Sequence, residues 1–118
     1  MSFNQKIKSN KIEEILKKYP GRIPIIITSK TIKFKDNNKK NNSNFIIPSN
    51  ITMAEFIIMI RKRVELSKEE SIFVFVIDKI TKKDILAPSS ITMDSLYSQY
   101  KDDNLILNLY FEKEAVFG

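Results

Sequence analysis

Apolar residues recur along this chain alternately at helical spacing and in β-type runs. The sharpest succession is FIIPSNITMAEFIIMIRKR, residues 45–63. Phe45-Ile46-Ile47 is an aromatic and β-branched run that fits a strand, and Pro48, with no N–H for a sheet ladder, ends it. Thr52 and Glu55 have the spacing of a capping box, with Ile51 and Phe56 at the positions of a hydrophobic staple. Together they predict a helix starting at Met53. Met53, Phe56 or Ile57, Ile60 and Val64 give it one buried stripe, and Ile58 and Met59 lie off that stripe. Either the helix is buried on more than one face, or its surplus apolar surface borders a groove for a partner. Arg61, Lys62 and Arg63 close the last turn, where cations complement the helix dipole.

Upstream, Phe3 and Ile7 suggest a weak helical turn. A firmer helix follows, with Asn10 as cap and Glu13 at N3. Ile12, Ile15 and Leu16 form its stripe, Glu13 and Glu14 pair forward with Lys17 and Lys18, and Pro20-Gly21 ends it. Ile23 to Ile27 reads as a strand, and Pro24 near its start implies a strand's beginning or a sheet edge. Ile32 and Phe34 alternate within 31–35 as an extension of that strand, whereas DNNKKNNSN, 36–44, has no apolar period and predicts a loop.

Downstream, Ser67 and Glu70 repeat the capping spacing over one turn. IFVFVI, 72–77, is a continuous apolar run expected of a strand buried on both sides, hence at the sheet's centre. Lys82-Lys83 is a polar turn before the short apolar piece 85–87. PSSITM at 88–93 then restates PSNITM at 48–53, so one route out of a strand and into a helix is used twice. A short helix over 93–100, a turn at 101–104 and a strand over 105–111 follow. Alternation assigns Leu105, Leu107, Leu109 and Phe111 to one sheet face and Ile106, Asn108 and Tyr110 to the other. EKEAVFG, 112–118, reads as a tail.

Composition narrows the function classes. At 118 residues the chain is one domain, able to bury roughly two-thirds of its unfolded surface. It has no cysteine and no histidine, which removes disulfides, thiol nucleophiles, imidazole bases and the usual zinc ligands. The carboxylates have no catalytic spacing, so neither an enzyme nor a metal or other cofactor is expected. No apolar run nears the ~18 residues of a membrane span, and the N-terminus lacks the apolar segment of a signal peptide, which implies the cytosol or nucleus. The net charge of +6 is lopsided: residues 1–40 hold eleven of the 20 Lys/Arg but three of the 14 Asp/Glu. Such asymmetry suits acidic peptides, anionic lipid or nucleic acid. The lysines are interspersed with asparagines rather than aromatics, as on an ordinary solvated surface.

The order helix, strand, strand, long helix, strand, short helix, strand predicts an α+β fold, the ubiquitin-like β-grasp with an added N-terminal helix. Through KYPGRIPIII at 18–27, FIIP at 45–48, FIIMIRKR at 56–63, IFVFV at 72–76, LYSQYKD at 96–102 and the terminal Phe117-Gly118, the sequence resembles the autophagy ubiquitin-like modifiers of the GABARAP family. The resemblance covers nearly the whole chain. It implies an N-terminal helical extension over 1–21, a β-grasp domain over 22–111 and a C-terminal conjugation tail over 112–118.

It also implies a function. Family members capture short peptides by adding a strand beside their second strand, here Phe45 to Ile47. Ile15, Pro24, Ile26, Ile46 and Ile106 would line the pocket for the peptide's aromatic residue. Phe45, Ile47, Pro48, Ile51, Phe56 and Met59 would line that for its aliphatic residue, and Arg22 and Arg63 would meet acidic groups. Gly118 would be activated and amide-linked to phosphatidylethanolamine, with Phe117 positioning it. The implied partners are that lipid, the activating, conjugating and deconjugating enzymes of autophagy, and cargo receptors with aromatic-x-x-aliphatic motifs. The implied location is cytoplasmic, and the autophagosomal membrane once lipidated. Asn44 replaces a family lysine and Lys11 an acidic residue, which shifts any preference for acidic flanks toward Lys39 and Lys40, and Asp78 to Thr92 carries an insertion. Two rival readings are a modifier joined to protein lysine, against which the FIIP and RIPIII blocks argue, and a basic β-grasp module for nucleic acid, which charge alone suggests; nucleic acid is not expected as a partner.

Overall fold

The computed structural model of the chain describes residues 9–35 and 40–113. The readings at Phe3, Ile7, Lys39, Phe117 and Gly118 lie outside the described residues. In chain order the elements are α1 (Ser9–Lys18), β1 (Arg22–Thr28), β2 (Asn42–Pro48), α2 (Met53–Arg61), β3 (Ile72–Ile77), β4 (Asp84–Leu86), α3 (Met93–Tyr100) and β5 (Leu107–Lys113). The strands form one sheet in the order β2-β1-β5-β3-β4, with β1 and β5 parallel and the other pairs antiparallel. This is the expected β-grasp plan.

Period-2 alternation sorts the side chains between two cores. Ile23, Ile25 and Ile27 of β1, Phe45 and Ile47 of β2, and Leu107, Leu109 and Phe111 of β5 face Met53, Phe56 and Ile60 of α2 and Met93 and Leu96 of α3. On the opposite face Ile26, Ile46 and Ile106 form a small cluster with Ile12 of α1. Ile32 and Phe34 are also buried in the main core, but 31–35 makes no strand and contributes a single bridge, Phe34 to Val64. Apolar alternation there reports burial, not pairing.

Other expectations are corrected by non-local contacts. The sheet's centre is β5; β3 has only the three-residue β4 beyond it, a strand that the sequence did not reveal. The run IFVFVI accordingly leaves Phe73 half-buried and Ile77 exposed. Of the two readings of Pro24 the strand's beginning holds and the edge does not: β1 starts at Arg22 and lies between β2 and β5, and the parallel ladder with β5 begins just after the proline, at Ile25. Asn42 to Asn44 belong to β2 rather than to the preceding loop, since a backbone ladder recruits polar residues as readily as apolar ones. Asn10 lies inside α1, which starts at Ser9, instead of capping it. Leu105 sits at φ 64 in the turn before β5 and packs against the small cluster, not the main core. β5 runs on through Glu112 and Lys113, so the tail begins later than expected. Ser67 and Glu70 form a turn without a helix: Ser67 N–H donates to Glu70 Oε1 at 3.1 Å, and Arg61 donates to the carbonyls of Ser67 and Glu70.

The helix start at Met53 is as expected, with both halves of the Thr52–Glu55 capping box formed. Its restatement at 88–93 has a tertiary meaning. Thr92 caps α3 by accepting from Ser95 N–H, and the two motifs dock on each other about a pseudo-twofold axis. Met53 N–H donates to Ile91 O at 2.8 Å and Met93 N–H to Ile51 O at 2.9 Å; Ala54 N–H donates to Ser89 O at 3.0 Å and Asp94 N–H to Ser49 O at 2.9 Å. Amides that helix starts normally leave unpaired are thus exchanged between the two helices.

Tyr97 joins α3 to the turn before β5 by donating from its hydroxyl to Leu105 O at 2.8 Å. Burial, with Asp102 nearby, raises its phenol above the ordinary tyrosine value. The fold therefore favours the neutral ring: its stabilisation is complete below the unfolded pKa of about 10 and is lost as pH rises through the higher folded value. Melting temperature should fall more steeply between about pH 9 and 11 in wild type than in Tyr97→Phe, and the variant should lose about 1 kcal/mol at neutral pH with the hydrogen bond.

Candidate functional site

Among the described strands only β1 pairs with β2, which leaves the other side of β2 as a sheet edge. Which groups it presents follows from the ladder. Opposed residues of an antiparallel pair alternately exchange both main-chain hydrogen bonds and exchange none. Ser49 N–H donates to Gly21 O at 2.9 Å and Ser29 N–H to Asn41 O at 2.8 Å, at the two ends of the register. Counting inward from either end makes Ile23–Ile47 and Ile25–Phe45 the bonded pairs. Pro24–Ile46 and Ile26–Asn44 are then the non-bonded ones. The N–H and C=O of Ile46 and Asn44 therefore point outward, and Pro24 removes no donor that β2 needs. Gly21, at φ 78, makes the turn that sets this register going, a conformation glycine adopts without penalty.

The outward carbonyl of Ile46 accepts from Arg22 Nη1 at 3.3 Å. The Arg22 side chain thus reaches from β1 to the outer edge of β2. Of the residues assigned to the aromatic pocket, Ile15, Ile26, Ile46 and Ile106 come together in the small cluster, and Pro24 is buried on the same face of β1. Its floor is well covered: Ile26 is 6 % and Ile46 9 % exposed. Ile12, Leu16 and Leu105 complete it and were not in the expected set. The α1 stripe carried the signal for Ile12 and Leu16; nothing local marked Leu105.

The aliphatic pocket residues gather on the opposite side of β2. Phe45, Ile47 and Phe56 are buried in the main core, with Phe45 and Phe56 edge-to-face at 6.4 Å, while Pro48, Ile51 and Met59 are half-buried at its margin. The Arg63 guanidinium stacks 5.2 Å from the centre of the Phe45 ring, a cation–π contact that places its charge at this margin. Ile58 is 57 % exposed, so α2 is not buried all round. Its surplus apolar face is at the surface, as the groove reading requires.

The two sets thus flank a single edge. A strand laid along it would alternate its side chains between the α1 side and the α2 side, so residues three apart would face opposite sets. No group of three or more Asp and Glu that could hold a metal ion occurs among the described residues, and no described helix is long and apolar enough to cross a membrane. A cavity of about 160 Å³ lined by Val76, Ile77, Lys79, Tyr100, Asp102, Asn108 and Tyr110 lies elsewhere, and contains none of the expected site residues.

Comparison with known proteins agrees with the fold. Residues 7–118 match the family model described as autophagy protein Atg8, ubiquitin like. The chain is 33% identical over 104 residues to autophagy-related protein 8d of Arabidopsis thaliana, covering 88% of this chain and 80% of that protein. It is 33% identical over 106 residues to autophagy-related protein 8 of Coccidioides immitis, covering 90% and 84%. Among solved structures, Trypanosoma brucei ATG8 superposes with a TM-score of 0.71 at 28% identity, covering 90% of this chain and 84% of that one.

Proposed function

The chain belongs to the Atg8 family of ubiquitin-like autophagy proteins, and from that premise we propose that it is a lipid-conjugated modifier that recruits cargo receptors through the β2 edge. The observation that carries the recruiting half is the outward parity of Asn44 and Ile46 between two apolar sets. A peptide strand bonds to those main-chain groups, places an aromatic side chain against Ile15, Pro24, Ile26, Ile46 and Ile106, and three residues later places an aliphatic one against Pro48, Ile51 and Met59 above Phe45, Ile47 and Phe56. Because Ile26 and Ile46 are nearly covered, entry of the ring slides α1 outward by turning Ile12 and Ile15.

Arg22 acts as a placeholder. Its bond to Ile46 O satisfies the edge carbonyl in the free protein. When a peptide N–H takes that carbonyl, the guanidinium is released to pair with a carboxylate flanking the motif. Two buried anchors at about 1.5–3 kcal/mol each, with the main-chain bonds and less the cost of ordering the peptide, correspond to roughly micromolar affinity, about −8 kcal/mol. Exposed charge acts mainly on the association rate, so raising salt from about 50 to 500 mM should slow capture of an acidic-flanked peptide several-fold in stopped flow. Tight binding of random DNA with a steep salt slope would instead favour the nucleic-acid reading.

The conjugating half rests on Phe117-Gly118 and on family membership. Gly118, without Cβ, suits a narrow enzyme channel. Its carboxylate attacks ATP to form an acyl-adenylate with release of pyrophosphate, an enzyme thiol displaces AMP to give a thioester, and the amine of phosphatidylethanolamine displaces the thiol to form the amide. Two acyl chains, at about 0.8 kcal/mol per buried CH₂, hold the product on a membrane where a single chain binds marginally. The test is incubation with the family's activating and conjugating enzymes, ATP and phosphatidylethanolamine liposomes. A membrane-bound adduct of the lipid's mass is expected. Transfer to protein lysine with no lipid product would favour the protein-modifier alternative.

A further inference from the structure

Glu112 and Ser29 are the buried polar side chains among the described residues, 3 % and 1 % exposed. Burying a carboxylate is costly unless each oxygen is well bonded, so its surroundings call for a reason. The donors to Glu112 are neutral. Oε1 accepts from Ser29 Oγ at 2.9 Å and from Thr31 Oγ1 at 2.9 Å, and Oε2 accepts from Lys30 N–H at 2.6 Å. The Ser29 hydroxyl itself accepts from Thr31 N–H at 3.2 Å and Ile32 N–H at 2.8 Å, so its hydrogen is committed to Glu112. Ser29 O accepts from Asn41 Nδ2 at 2.7 Å. One carboxylate thus ties the exit of β1 to the end of β5, and Asn41, on the approach to β2, joins through the Ser29 carbonyl.

Its place in the topology is specific. The parallel register of β1 and β5 ends at Thr28 and Tyr110. Beyond it β1 leaves the sheet, while β5 continues with a main-chain ladder on the β3 side alone, Phe73 to Glu112 and Ile72 to Lys113. The Glu112 side chain replaces the missing ladder, and Lys113 is held from another direction by Glu70 at 3.1 Å. Both residues are fixed just before the segment 114–118.

We propose that Glu112 is a positioning residue for the C-terminal reaction: by fixing the end of β5 against the Ser29–Ile32 turn, it sets the direction in which the chain leaves the domain toward Gly118. The inference rests on the reading of Gly118 as the conjugated residue. Six residues beyond Glu112 span at most about 20 Å, so a change of angle at their origin moves the glycine by many ångströms, and misplacement by about 1 Å can already cost 10²-fold in rate. Because the direction of exit governs how the chain meets the enzyme, the effect is one on KM.

ATP–pyrophosphate exchange by the family's activating enzyme, followed against modifier concentration, tests this. Glu112→Ala should raise KM about tenfold with kcat unchanged, and Thr31→Val, which removes one donor, about twofold to threefold. Glu112→Gln keeps an acceptor for Ser29 and Thr31 and should recover most of the loss. All three should bind the groove peptide as wild type does, a control that a general loss of fold would not pass. An unchanged KM in Glu112→Ala that still binds peptide overturns the proposal, as does a loss confined to kcat. Because the chain has no cysteine, spin labels can be placed uniquely at Ile58→Cys and Val116→Cys. Their distance distribution should broaden in Glu112→Ala; an unchanged distribution overturns the anchoring whatever the enzymes do. If wild type is not adenylated beside a family member that is, the conjugation reading falls, and the label distances alone decide whether Glu112 anchors the exit.

Discussion

Ile46→Asp is expected to abolish capture of an aromatic-x-x-aliphatic peptide, raising Kd at least 100-fold from its micromolar value, a loss of about 3 kcal/mol or more. Ile46 contributes to the site twice. Its main chain faces outward at the β2 edge, and its side chain lies in the small cluster with Ile12, Ile26 and Ile106. A carboxylate there has no cation within the cluster and must turn to water, carrying charge into the path of the incoming ring. The main core should survive, because Phe45 and Ile47 point to the other face and pack with Phe34 and Phe56 independently of Ile46. Loosening of α1 is expected, since Ile12 loses a partner. Isothermal titration paired with near-UV circular dichroism separates the two consequences. A folded variant that binds with unchanged affinity would remove the groove assignment.

Deletion of Gly118 should eliminate the lipid adduct outright rather than slow its formation. On the conjugation proposed above, the acyl group transferred is that of Gly118, and its deletion puts the bulky ring of Phe117 where a residue without Cβ is called for. Binding of the groove peptide should be untouched, because the site's described residues all lie at Arg63 or earlier except Leu105 and Ile106. The measurement is intact-mass analysis of liposome-bound protein. An adduct that persists after the deletion would sink the lipid-modifier reading while leaving recruitment by β2 standing.

The elements were legible because their determinants are local. The Thr52–Glu55 box fixed the start of α2, Pro48 closed β2, and the restated motif at 88–93 marked the start of α3. The site was legible in its components for a different reason: the resemblance supplied the two residue sets, and period-2 alternation in FIIP already placed Ile46 opposite Phe45 and Ile47. What remained hidden were contributions from residues distant in sequence. Leu105 joins the small cluster through a positive-φ turn, and Ile12 reaches Ile46 only once α1 is laid across the sheet.

By itself, then, the sequence determined the three helices, the apolar centres of β1, β2, β3 and β5, where α2 begins, and which side chains within those strands share a face, since capping, proline placement and periodicity act within a few residues. The tertiary structure decided the rest. It made β5 the central strand, although β3 carries the more continuous apolar run, because centrality depends on place in the strand order: β5 has two strands on either side, β3 only β4 beyond it. It turned a sequence echo at 48–53 and 88–93 into reciprocal hydrogen bonds between two helix starts. It turned Glu112, which reads as part of a tail, into the anchor between the Ser29–Thr31 turn and the end of β5. Each of these depends on backbone groups or a carboxylate finding partners tens of residues away, and no pattern along the chain encodes which of the many compatible pairings closes the ladder.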